Sequence, residues 1–198
     1  MMAPTTAPMM ANTLLVLLLG NFALIGLLPV ICFRRDGRFS ARWLLTGAPF
    51  FVAPVLLVLG RAGWLQPLFA GRPALQLALG VAAAVLAAAS IVLIAATSEA
   101  HRVRPALWHQ DDDAPAELVT RGPYARIRHP FYSSFLLAFV AAFLALPHAA
   151  TLACLLYATV ALTLTAQREE RRLADSAFGD DYRRYVAESG RFLPRFLA

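Results

Sequence analysis

The chain has 198 residues, of which 59% are apolar and only 15% charged. That composition excludes an ordinary water-soluble domain and points to a membrane protein with several crossings. Its 18 basic residues, all arginine, outnumber 12 acidic ones; they gather between apolar segments, which fits membrane orientation and argues against nucleic-acid partners.

Residues 1–11 are small and uncharged, and a short disordered tail is expected. Asn12 to Phe33 is an apolar run of 22 residues. It is too long for a signal-peptide core, and neither a basic stretch before it nor a small-residue cleavage site after it is present. It is expected to be a first transmembrane helix. Gly20, Gly26 and Pro29 are tolerated in such a helix when it packs on neighbours. A basic loop with Arg34, Arg35, Arg38 and Arg42 follows. A second span is expected from about Leu44 to Leu59, kinked by Pro49 and Pro54. Residues 60–72 form a connection with Trp64 as an interfacial anchor. A third span, rich in alanine and leucine, runs from Pro73 to about Thr97. Residues 98–129 are a long polar loop. A fourth span starts at Pro130 and ends near Leu146. Pro147-His148 leaves room only for a tight turn, so a fifth span, to about Ala166, forms an antiparallel hairpin with the fourth. The closing segment, 167–198, is polar and starts as helix. Phe178-Gly179 interrupts it, Tyr182, Tyr185 and Val186 resume an apolar face at helical spacing, and Ser189-Gly190 stops it. Arg191 to Phe196 reads as a tail at the lipid interface.

The expected fold is therefore all-α: one integral membrane domain with five transmembrane helices, a cytoplasmic loop and a C-terminal cytoplasmic helix. Residues 1–97 form a three-helix part and residues 98–198 carry the loop, the hairpin and the last helix. Arginine counting sets the orientation. The connection after the first span holds four, residues 98–129 hold five and residues 167–198 hold seven; only Arg61 and Arg72 lie on the other side. The N-terminus is then outside, and the loop and C-terminus are cytoplasmic, as in a bacterial inner-membrane protein. All 12 acidic residues share the cytoplasmic side. Cys32 and Cys154 fall in apolar segments and read as small core residues, with no metal-ligand spacing.

The densest chemistry lies in Leu118 to Tyr132, LVTRGPYARIRHPFY. Gly122-Pro123 forces a turn. Pro130 suits the first position of a helix, where its missing N–H costs nothing. His129 then sits at a helix mouth, where free N–H groups and the helix dipole favour an anion. Arg126 and Arg128 add cationic donors there, although such a run, with Arg121, also suits anionic lipid headgroups. A second dense stretch, Arg168 to Arg172, begins where the fifth span ends. The hairpin brings Glu169 and Glu170 next to His129 and Tyr132. Cationic donors suit a carboxylate, glutamates suit an ammonium or sulfonium, and Tyr124 and Tyr132 suit a flat ring. S-adenosylmethionine carries all of these groups.

This ordered set, LVTRGPYARIRHPFY, an apolar hairpin, REE, FGDDYRRY and a closing RFLP, resembles the isoprenylcysteine carboxyl methyltransferase family and its phospholipid methyltransferase relatives. The resemblance runs from about residue 98 to the end. It implies a membrane methyltransferase using S-adenosylmethionine. It implies cofactor contacts from His109, Glu117, Leu118, Val119, Tyr124, His129, Pro130, Phe131, Tyr132 and Glu170; Arg128 joins them from the helix-mouth reading. Two positions depart from the family pattern. Ser134 stands where glycine is common. Ala166 stands where the prenylcysteine enzymes place a substrate-binding arginine. Arg168, two residues later and about 200° around a helix, is the candidate substitute. Glu169 is the candidate base for an amine acceptor, whereas a carboxylate acceptor needs none. The acceptor is expected to be lipophilic and to arrive from the bilayer. Sterol-type reductases using NADPH share an RHP-x-Y and FG-x-x-Y-x-x-Y layout and form an alternative class; a non-catalytic membrane scaffold is a third.

Overall fold

A computed structural model of the chain describes residues 6–33, 42–102 and 117–195. Among them the protein is all-helical, with six α-helices and no strand. They are α1 (Thr6–Ile31), α2 (Arg42–Arg61), α3 (Pro73–Glu99), α4 (Pro130–Ala145), α5 (Ala149–Ala174) and α6 (Gly179–Glu188). A one-turn 3-10 helix, Gly122–Ala125, precedes α4. Gly122 has φ +60° there, which is the turn expected of Gly122-Pro123. α1 starts at Thr6, inside the segment expected to be a tail. Alanine and methionine are good helix formers, and no glycine interrupts them before Gly20.

α1, α3 and α5 are long and apolar enough to cross a membrane. The other two expected spans come out shorter: the apolar stretch of α2 is Thr46–Arg61 and α4 has 16 residues. Proline bounds α4 at both ends, Pro130 opening it and Leu146-Pro147 closing it.

α4 is the centre of the molecule and touches α1, α2, α3 and α5. Phe131 to Phe135 are buried without a break. Phe139 meets the rings of Phe22 at 5.3 Å and Phe50 at 4.9 Å. On the α3 side, Ala83 and Ala87 are fully buried, as are Ala138 and Ala141 of α4, so small residues admit close packing. A polar seam ties three helices there. The Ser90 hydroxyl donates to the Ser134 carbonyl at 2.8 Å and lies 3.2 Å from Asn21 Oδ1, while Asn21 Nδ2 donates to the Ala87 carbonyl. Such interhelical bonds contribute roughly 0.6–2 kcal/mol each. Ser134, at the position of the expected glycine, is fully buried and takes part in that seam. Both cysteines are free thiols.

Leu146, Pro147 and His148 join α4 to α5. His148 caps α5 by accepting the Ala150 N–H at Nδ1, and the Thr151 hydroxyl closes on the Leu146 carbonyl at 2.6 Å. α5 runs back along α4 and continues beyond its first residue.

Past α6, the chain does not trail away as the interfacial tail expected for Arg191 to Phe196. Residues 190–195 fold back as a strap over the start of α4. Arg128 N–H donates to Gly190 O at 2.8 Å, His129 N–H to Arg191 O at 3.1 Å, and Gly190 N–H to Arg126 O at 3.0 Å. The Ser133 hydroxyl donates to Phe192 O at 2.7 Å, and Phe192 packs against the core. Backbone pairing of this kind outweighs the solubility of the two arginines.

Candidate active site

The chain before α4 must satisfy a helix start that has no side-chain cap. The strap fixes its backbone, and the His129 side chain is left free to face α5. Its ring stacks on Tyr132 with centroids 5.3 Å apart and planes 1° from parallel. Nδ1 lies 3.4 Å from Glu169 Oε2 and Nε2 lies 3.3 Å from Glu170 Oε1. Adjacent glutamates on a helix point about 100° apart, and the imidazole fits between them.

The two carboxylates have different surroundings. Glu170 is enclosed: its side chain is 13% exposed and receives Arg128 Nε at 3.1 Å, Arg191 Nε at 3.0 Å and Arg191 Nη2 at 2.7 Å. Arg128 is steadied in turn by the Ser189 carbonyl. Glu169 is 28% exposed. It accepts the Tyr132 hydroxyl at 2.5 Å and retains a side open to a ligand. Of the cationic donors read from the sequence at the helix mouth, Arg128 and His129 converge on the chain's own Glu170, while Arg126 is exposed.

Burial pulls the His129 pKa down, but its hydrogen bonds to Glu169 and Glu170 outweigh burial and raise it above 6.5. The protonated imidazole therefore stabilises the fold fully below about pH 6.5, and that contribution is lost as pH rises through the raised folded value. Thermal unfolding in detergent is expected to show a midpoint that falls on this alkaline limb. His129→Gln should flatten it; an unchanged slope would mean that another group titrates.

Tyr124 stands beside this cluster. Its hydroxyl is 3.0 Å from His101 Nε2, and its carbonyl accepts the Tyr185 hydroxyl at 2.6 Å. Burial, then Arg121, lower the His101 pKa, which favours a neutral ring able to accept the phenolic proton. Phe131 turns away, with its ring 5.3 Å from Phe33 and stacked on His101. Pro130 is fully buried. Glu117 pairs with Arg121 at 2.7 Å in a half-exposed bridge rather than joining the glutamates. Leu118 and Val119 are half-buried just before the 3-10 turn. His109 lies outside the described residues. Arg168 is exposed and joins none of the cluster's bonds among the described residues; Ala166 is fully buried on the other side of the helix. Besides Arg128, the arginine that reaches Glu170 is Arg191, which sequence reasoning missed.

A sequence model of the isoprenylcysteine carboxyl methyltransferase (ICMT) family matches residues 77–175, which covers α3, the turn, α4 and α5. The chain belongs to that family. No curated protein matches the chain. As an ICMT-family protein with apolar spanning helices, it is an integral membrane protein of the methyltransferase class. The match contains Arg128, His129, Tyr132, Glu169 and Glu170 but stops before α6 and the strap. Arg191, which completes the Glu170 cluster, lies beyond it.

Proposed function

We propose that the protein transfers a methyl group from S-adenosylmethionine to a lipophilic acceptor at the cytoplasmic surface of a membrane. The meeting of His129 with Glu169 and Glu170, from residues about forty apart, carries this reading. The residues fit the donor. Glu169 suits a cationic sulfonium or ammonium, the stacked rings of His129 and Tyr132 suit a nucleoside, and Arg128 and Arg191 suit a carboxylate. When bound, the donor supplies a methyl already activated by the sulfonium charge. The chain then has to align the acceptor, exclude water and keep the charges compensated. Glu169 would take the proton of an amine acceptor, and with a carboxylate acceptor it would only hold the donor. Arg168 at the exposed face would meet an acceptor headgroup outside the cluster. All five apolar helices cross the bilayer in this reading, α4 and α5 as a hairpin, with the N-terminus outside. Residues 1–97 wall the site and residues 98–198 carry it.

The test is calorimetric titration of the detergent-purified protein with S-adenosylhomocysteine. Saturable binding is expected, weakened about tenfold or more by His129→Ala, as for loss of a charged hydrogen bond. No binding, or an indistinguishable variant, would overturn the reading.

A further inference from the structure

Beside this cluster, the strap and the end of α6 line an open cleft of about 620 Å³. Arg128, Arg191 and Arg195 line it together with Val186, Phe192 and Leu193. Its charge is not balanced. Arg128 and Arg191 share the single carboxylate of Glu170, and Arg195 adds a third guanidinium at the exposed rim. One positive charge is left over from the shared pair and one from Arg195. The walls are preorganised, because Gly190 and Arg195 both donate backbone N–H groups to Arg126 O. Leu193 is 78% exposed, an apolar group presented beside the arginines.

We propose that this cleft is a second binding site, which seats the phosphate of an anionic lipid headgroup. Guanidinium forks match the oxygens of a tetrahedral phosphate, and the exposed leucine meets the start of the acyl region. The site adjoins the proposed donor site, because Arg128 and Arg191 line the cleft and also hold Glu170. A bound phosphate would therefore draw on the same guanidiniums that hold the carboxylate.

The experiment uses the full chain in non-ionic detergent and reads the unfolding midpoint against ligand concentration, since a ligand of the folded state raises it. The probes are short-chain phosphatidylglycerol, short-chain phosphatidylcholine and inorganic phosphate at constant ionic strength. Phosphatidylglycerol is expected to raise the midpoint saturably and phosphatidylcholine less. Arg195→Gln should weaken the apparent affinity roughly fivefold or more, the scale of a lost charged hydrogen bond, and Leu193→Ser should weaken it for the lipid alone. If inorganic phosphate acts as strongly as the lipid and Leu193→Ser has no effect, the site takes free phosphate and the lipid source is wrong. No saturable shift with any probe, or shifts unchanged in Arg195→Gln, would overturn the site altogether. None of these readouts uses methyl transfer, so the result is independent of the proposed activity.

Discussion

Glu170→Ala is expected to abolish S-adenosylhomocysteine binding and to lower stability by about 3–5 kcal/mol, the range for removing one partner of a buried ion pair. The reason is the number of donors that depend on it. Arg128, Arg191 and His129 all point at this carboxylate. Without it, two guanidiniums face one another across a mostly enclosed space, beside an imidazole that has lost one of the two carboxylates raising its pKa. Their repulsion has no nearby outlet except Glu169, which already holds Tyr132 and His129. Removing a cation as well should restore part of the loss, so Glu170→Ala/Arg191→Ala is expected to be more stable than Glu170→Ala alone. Reversible unfolding in detergent measures both. A loss below about 1 kcal/mol, the level of a solvated surface pair, would show that water already compensates the cluster.

The second large effect is expected at Gly190. A Cβ there would fall inside the Leu193 carbonyl oxygen and crowd Arg195 N at 3.3 Å. Both obstacles are backbone, so no rotamer change relieves them. Gly190→Ala must shift the strap, and with it the bonds that Arg128 N–H and His129 N–H make to Gly190 O and Arg191 O. A cost of about 2–4 kcal/mol is expected, typical of a substitution with a forced backbone conflict. Hydrogen exchange should quicken at Arg128 and His129, and S-adenosylhomocysteine binding should weaken with it. Gly60→Ala is the control. The three atoms nearest its Cβ all belong to the Leu146 side chain, so a shift there leaves the backbone in place. Equal effects at the two glycines would contradict this account of the strap.

The encounter of His129 with Glu170 could be read from the chain because it depends on few choices. Pro130 starts one helix, Pro147-His148 allows no excursion, and the next helix must return to the same level. Helix limits set by proline were legible for the same reason. Arg191 was not legible. Its partner is set by backbone pairing between residues 126–129 and 190–191, and nothing local in RFLP announces it. Read alone, arginine beside phenylalanine and proline suits an interface, and it does not announce that the segment folds back on residues 126–129. The helix mouth faces the chain's own Glu170, which bonds Arg128, His129 and Arg191. The hairpin placed Glu170 beside His129, but not the pairing of Glu170 with Arg128 and Arg191. Arg168, about 200° around the helix from Ala166, is exposed and stands apart from the His129–Glu170 cluster. The start of α1 shows how little a terminus of small uncharged residues says about disorder.

The short length of α4 has a consequence for where reaction could take place. Sixteen residues rise only about 24 Å, less than the roughly 30 Å thickness of hydrocarbon. For a helix facing lipid this would be a mismatch, but α4 is ringed by α1, α2, α3 and α5, so acyl chains need not match its ends. If α4 crosses the bilayer as proposed, its first residue lies below the plane of the headgroups, beneath the strap and beside α5. A polar reagent descending from water and a greasy one sliding sideways would meet there without either having to leave its own solvent.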